Sequence, residues 1–245
     1  MSQTLTPTSR GSVAAPPRDL RRVWRLVAAV SIVLGPVLVT VLRAVMPYWT
    51  DEDGPTSIAK IAAAPGQIAA VNWLSLFSFP FLLLLPLAIG YAARRRTPVL
   101  ATVSAAVFFV GVSMASYVGS SDVLAEVMTK NGYGTTETAD LALLVMEHPT
   151  GLIGILCFVV GHLIGLVLLA ITVVRARLVP WWVGVAIAVA QPVHVIAAVI
   201  VPSRALDVIG GWGLTAAGLA MVALAILRMP LDEWDAPPLP VSGRG

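Results

Sequence analysis

The sequence predicts an all-α, polytopic membrane protein: a six-transmembrane-helix bundle with short amphipathic helices in its outer loops. Three observations carry the prediction. Of 245 residues, 58% are hydrophobic and only 12% charged, whereas soluble domains carry about 25% charged residues. The apolar residues gather into six runs, 26–46, 68–93, 99–118, 151–174, 181–201 and 208–227, each near the roughly 20 residues that a helix needs to span a bilayer. The runs are continuous and rich in Leu, Ala and Gly, unlike the alternating segments of about ten residues found in barrels. Helices then satisfy the backbone in lipid.

Charge placement gives the orientation. If the six runs alternate in direction, Arg10, Arg18, Arg21, Arg22, Arg25, Arg94, Arg95, Arg96, Arg175, Arg177, Arg228 and Arg244 share one side, and the other side holds Arg43, Lys60, Lys130 and Arg204. Cytoplasmic loops are enriched in Lys and Arg, so both termini are expected in the cytoplasm. The basic residues anchor helix ends at anionic headgroups. No groove-reading motif accompanies them, which speaks against nucleic-acid binding. One cysteine, Cys157, excludes an internal disulfide.

Residues 1–20 are rich in Ser, Thr, Pro and Gly and are expected to be a disordered cytoplasmic tail. The first apolar run continues into Met46-Pro47-Tyr48-Trp49 without a small-residue cleavage site, so it is read as a retained span and not as a signal peptide. Gly35-Pro36 predicts a kink within it, and Arg43, one turn from its outer end, is placed to snorkel to the headgroups. Asp51-Glu52-Asp53 reads as a solvated acidic turn, followed by a short helix over 56–64 that Pro65-Gly66 ends.

The second span carries Asn72 and two prolines, Pro80 and Pro86, and closes at Arg94-Arg95-Arg96. Small residues along the third span, among them Ser104, Gly111 and Ser113, favour close helix packing. The loop 120–150 predicts two short helices lying over the bundle mouth, the first ending at Asn131-Gly132. On the fourth span Gly154, Cys157, Gly161 and Gly165 fall at spacings of three and four and predict one narrow packing face. A glycine-rich surface recurs at Gly210, Gly211, Gly213 and Gly218 in the sixth. Residues 229–245, with Ala236-Pro237-Pro238-Leu239-Pro240, read as a second disordered cytoplasmic tail. The spans with their connecting loops form one membrane domain over 21–228. The pattern proline, span, basic turn, proline, span occurs twice, with proline spacings of 33 and 31 residues. Either a parallel repeat of a helix pair or topology alone accounts for it.

The functional lead is the pair of intramembrane histidines. His162 flanks the Gly161–Gly165 face about 16 Å below the outer end of its span, and His194 lies about 10 Å below the outer end of its own. An ionisable group at such depth is a functional hypothesis by default, against the simpler reading of a neutral imidazole hydrogen-bonded between helices. Asn72, His162, Gln191 and His194 are the candidate lining of an outward-facing cavity for a small or lipidic ligand, or for a partner protein. Transport of a small molecule is the first alternative. A haem-binding redox protein using His162 and His194 as ligands is the second. Cys157 lies five residues from His162, about 140° round the helix, and adds nothing to a metal site. Glu147-His148 reads as a solvated helix end. No catalytic residue, zinc motif or phosphate-binding loop is seen, and no cofactor is expected outside the haem alternative.

The basic segment before the first span, the entries Ala63-Ala64-Pro65 and Glu147-His148-Pro149, and the Arg175 to Pro180 turn together resemble uncharacterised six-span bacterial integral membrane proteins of the domain-of-unknown-function type. The resemblance covers about residues 21–228. It implies a multi-pass protein of the bacterial plasma membrane and supplies no activity.

Overall fold

The computed structural model describes residues 20–239, and for 116–120 the backbone alone. The predicted tail 1–20 lies outside these residues except for Leu20, as does the end of the second tail from 240 onward. The chain forms ten helices among the described residues: α1 (Arg21–Val45), α2 (Gly54–Ala63), α3 (Pro65–Ala93), α4 (Pro98–Ser113), α5 (Ser116–Lys130), α6 (Thr135–Glu147), α7 (Pro149–Arg175), α8 (Trp181–Ile200), α9 (Arg204–Arg228) and α10 (Leu231–Asp235). Two π-helical stretches interrupt the regular winding, Ile196–Ile200 at the end of α8 and Asp207–Gly213 near the start of α9.

Five helices are long and apolar enough to cross a membrane: α1, α3, α7, α8 and α9. The expectation of six spans is corrected on this point. The predicted third span, 99–118, folds as the 16-residue α4, about 24 Å long at 1.5 Å per residue against a hydrocarbon core of about 30 Å. At Met114 and Ala115 the backbone tightens, with Met114 N–H donating to Gly111 O and Ala115 N–H to Val112 O. The chain then enters α5. These i to i+3 bonds are those of a terminating turn, and they fall inside a stretch whose composition stays apolar.

The five long helices and α4 close a ring in which each touches the next, in the order α1, α3, α4, α7, α8, α9 and back to α1. Their buried faces meet in one core with Ile32, Leu85, Ile89, Phe108, Leu166 and Leu219 at its centre. The tightest seam joins α4 to α7. A Cβ placed on Gly111 would lie 2.5 Å from the Gly161 carbonyl carbon, and one on Gly165 would lie 2.5 Å from the Phe108 Cα. Gly161 and Gly165 thus act as the spacing predicts. Cys157, expected on that same face, is exposed. Lower on the seam the buried hydroxyls of Ser104 and Thr172 hydrogen-bond at 3.0 Å.

The basic ends converge. Arg25 donates to Met229 O, Arg96 to Ala176 O at 3.1 Å and Arg94 to Trp234 O at 2.9 Å, so the start of α1 and the ends of α3, α7 and α9 meet at one end of the bundle. Within residues 229–239, expected as part of an extended tail, 231–235 are helical and 236–239 carry no regular secondary structure. This segment forms α10, buries Trp234 against the Tyr91 ring and returns a hydrogen bond from Leu239 N to Arg95 O. At the opposite end α2, α5 and α6 pack on one another. The cap of α2 is Asp53, whose carboxylate accepts from Thr56 N–H at 2.7 Å, and Gly132, at φ 81°, supplies the left-handed turn after α5.

Candidate functional site

The site forms where α8, α9 and α1 meet beneath the α2–α5–α6 cap. Asp207 is fully buried, and both of its carboxylate oxygens are engaged. Arg43 Nε donates to Oδ2 at 2.6 Å, and His194 Nδ1 donates to Oδ1 at 2.5 Å. The absence of a side chain at Gly211, within the π-helical stretch of α9, leaves room for the approach: a Cβ there would stand 2.7 Å from Asp207 Oδ1 and 3.1 Å from His194 Cβ. Such stretches recur at functional positions because they re-aim side chains within a helix. A charge at this depth persists only when it is paired, and here one carboxylate serves a guanidinium and an imidazole.

His162 reaches the cluster from α7. Its Nδ1 lies 2.7 Å from Phe158 O. A carbonyl only accepts, so Nδ1 carries the proton and the neutral ring presents a lone pair at Nε2. That Nε2 is buried and has no hydrogen-bond partner among the described residues. The rings of His162 and His194 are 6.2 Å apart between centroids, and Trp212 lies 6.5 Å from the first and 5.6 Å from the second. Phe158 stacks on His162 at 4.4 Å. Gln191, one turn before His194, is fully buried; its Nε2 donates to Thr215 Oγ1 at 2.9 Å, and that hydroxyl donates to Gly211 O. The Gln191 Oε1, like Arg43 Nη2, lacks a partner among the described residues. Three buried polar atoms on these residues, Arg43 Nη2, His162 Nε2 and Gln191 Oε1, are therefore unsatisfied among the described residues, each worth about 1–3 kcal/mol of desolvation until something hydrogen-bonds to it.

Of the four residues chosen from sequence, His162, Gln191 and His194 belong to this seam. Asn72 is engaged elsewhere, donating to Glu126 Oε2 on α5 at 2.5 Å, and no hydrogen bond among the described residues joins it to the histidines. The sequence reading missed Arg43, Asp207 and Trp212. Arg43 and Asp207 sit near the ends of their helices at the capped side of the bundle and so read as boundary residues. Their opposite charges were the available signal.

Beyond Arg43 the polar contacts continue toward the cap. Its guanidinium lies 4.2 Å from the Trp49 ring centroid, with Arg204 at 5.3 Å, an arrangement of the cation–π kind. Arg204 donates to Tyr48 O at 2.8 Å, and the Tyr48 hydroxyl donates to Asp122 on α5. Burial, reinforced by the neighbouring carboxylate, pushes the Tyr48 phenol above its ordinary range. Burial also raises Asp122, outweighing the Tyr48 hydrogen bond and the Arg43 charge.

The described residues contain no group of three or more His, Cys, Asp or Glu able to hold a metal ion. A haem bridging His162 and His194 meets a specific obstacle. The three ring centroids form a nearly equilateral triangle, which puts the Trp212 indole in the plane that a porphyrin between the two imidazoles would occupy. His148 is exposed, and its ring accepts from Thr150 N–H at 3.3 Å as the cap of α7.

Fold and site together define a multi-pass, all-helical membrane protein. No protein-family model, curated protein or solved structure matches the chain. The resemblance to six-span proteins of unknown function is therefore corrected: five long apolar helices are present, and no family assignment stands behind it.

Proposed function

We propose that this membrane protein binds a small polar ligand inside the bilayer, at a site made by His162, Gln191, His194, Asp207 and Arg43. The observation that carries the reading is the buried Asp207 carboxylate, paired to Arg43 and His194 beside the unpartnered Nε2 of His162. Intramembrane ionisable residues are expensive and mark ligand or ion pathways. A ligand with both donor and acceptor atoms would satisfy Arg43 Nη2, His162 Nε2 and Gln191 Oε1 together. The positive-inside rule supports a cytoplasmic placement of the end where Arg25, Arg94, Arg96 and Arg175 gather.

The test is native mass spectrometry of the protein purified in mild detergent, beside His162→Phe and Gln191→Leu. Wild type is expected to retain a small molecule. Both variants are expected to lose it while melting at or above the wild-type temperature, since each removes an unsatisfied buried atom. An empty wild-type protein, or equal retention in the variants, defeats the proposal. The buried ion pair also favours a second reading, transport of that ligand, which flux into proteoliposomes measures directly.

A further inference from the structure

We infer that α6 is an interfacial helix whose C-terminal half is inserted among lipid acyl chains at the capped end of the bundle. Its first half is held by protein: Thr138 is fully buried, and Gly54 of α2 comes so close to Ala139 that a Cβ there would lie 3.1 Å away. Its second half has lost that support. Leu141, Leu143, Leu144, Val145 and Met146 are all exposed, Leu144 at 64%, and they surround the helix instead of forming one stripe. Contiguous apolar surface of this kind marks an interaction site.

Lipid is the occupant that the surroundings favour. Through Pro149, α6 leads directly into α7, whose Leu152, Ile153 and Leu156 are likewise exposed on a helix long and apolar enough to span a bilayer. Exposed apolar residues thus flank the short corner 147–151 on both sides, on α7 and on α6. Between α5 and α6 lies an open groove of about 630 Å³, floored by Met128, Tyr133, Leu141 and Leu144 and rimmed by Glu137 and Asp140. An acyl chain fits the floor, with the headgroup zone at the carboxylate rim. Insertion would rest on apolar burial and not on charge, because α6 carries Glu137, Asp140 and Glu147 and no Lys or Arg. Phosphatidylcholine alone should then suffice, unlike the usual basic surface helix, which draws on anionic lipid.

The experiment uses the full chain in phosphatidylcholine vesicles, with nitroxide labels on single cysteines in a Cys157→Ser background. The replaced residues are Leu144, Met146, Glu137 and Asp140, all exposed, and each labelled protein is first matched to its parent by tryptophan melting. Collision with dissolved oxygen is compared with collision with a water-soluble nickel chelate. The oxygen-to-nickel ratio is expected to be several-fold higher at 144 and 146 than at 137 and 140. Free nickel access at all four positions would place α6 in water and overturn the inference. Exclusion of both reagents at 144 and 146 would also overturn it, because protein, a second copy or another chain, would then cover the face.

Discussion

Replacing Gly161 with alanine puts one methyl group into the seam between α4 and α7, and the coordinates set its cost. The new Cβ would stand 2.5 Å from Gly111 Cα and 3.0 Å from Gly111 N. Ordinary contact begins at 3.4 Å, so the helices must part by roughly 0.9 Å, because the obstacle is backbone that cannot rotate away. A gap of about 0.5–1 Å forfeits a quarter to a half of each dispersion contact it opens, and overpacking in general costs about 1–3 kcal/mol. The whole seam shares the movement, so the upper part of that range is expected. Gly66→Ala is the matched control: nothing lies within 4 Å of its added Cβ, and alanine favours helix by up to about 1 kcal/mol. Thermal unfolding in one detergent, followed by tryptophan fluorescence, should show Gly161→Ala melting well below wild type and Gly66→Ala at or above it. If the two variants melt together, the seam is not close-packed and the argument from glycine spacing is wrong.

Asp207→Ala should destabilise by about 3–5 kcal/mol, because it strands the Arg43 charge in a buried position; the double variant Arg43→Met/Asp207→Leu should recover most of that loss in the same melting assay, and its failure to do so would count against desolvation as the cause. The packing of α5 around Asp122 should lose stability as pH rises, because ionising this carboxyl puts a charge in a buried position. Burial raises the folded-state pKa of this carboxyl, so its contribution is fully present below the unfolded pKa and is lost as pH climbs through the folded one. Hydrogen exchange in α5 should accelerate over that window in wild type and not in Asp122→Asn; a flat wild-type profile would refute the assignment.

Composition and periodicity made most of this architecture legible. The long apolar runs became the long helices, the basic clusters gathered at one end, and the 161/165 glycine spacing located the tightest helix contact. The reading failed where local sequence stays silent about backbone geometry. Nothing in Met114-Ala115-Ser116 resembles a breaker, since the segment is neither proline-rich nor polar, yet the chain turns there and α4 falls short of a span. Residues 231–235 read as part of an extended tail, but Arg94 and Arg96 offer donors that hold Trp234 and Glu233 against the bundle. For the site, the histidines announced themselves by lying within apolar runs. Arg43 and Asp207 did not, being close enough to helix ends to pass for headgroup anchors. Asp207 also opens the π-helical stretch 207–213, a winding that hydrophobic pattern does not record.

The closure of the ring has a consequence for biogenesis. Arg43 and Asp207 are 164 residues apart in the chain, so the arginine is made and inserted long before its carboxylate exists. During that interval α1 has α3 beside it but not α9, and the guanidinium must be solvated by water or lipid phosphate near the membrane surface. Arrival of α9 exchanges that temporary solvation for Asp207. The ion pair at the heart of the site is thus complete only when the first and the fifth long helices are both in place.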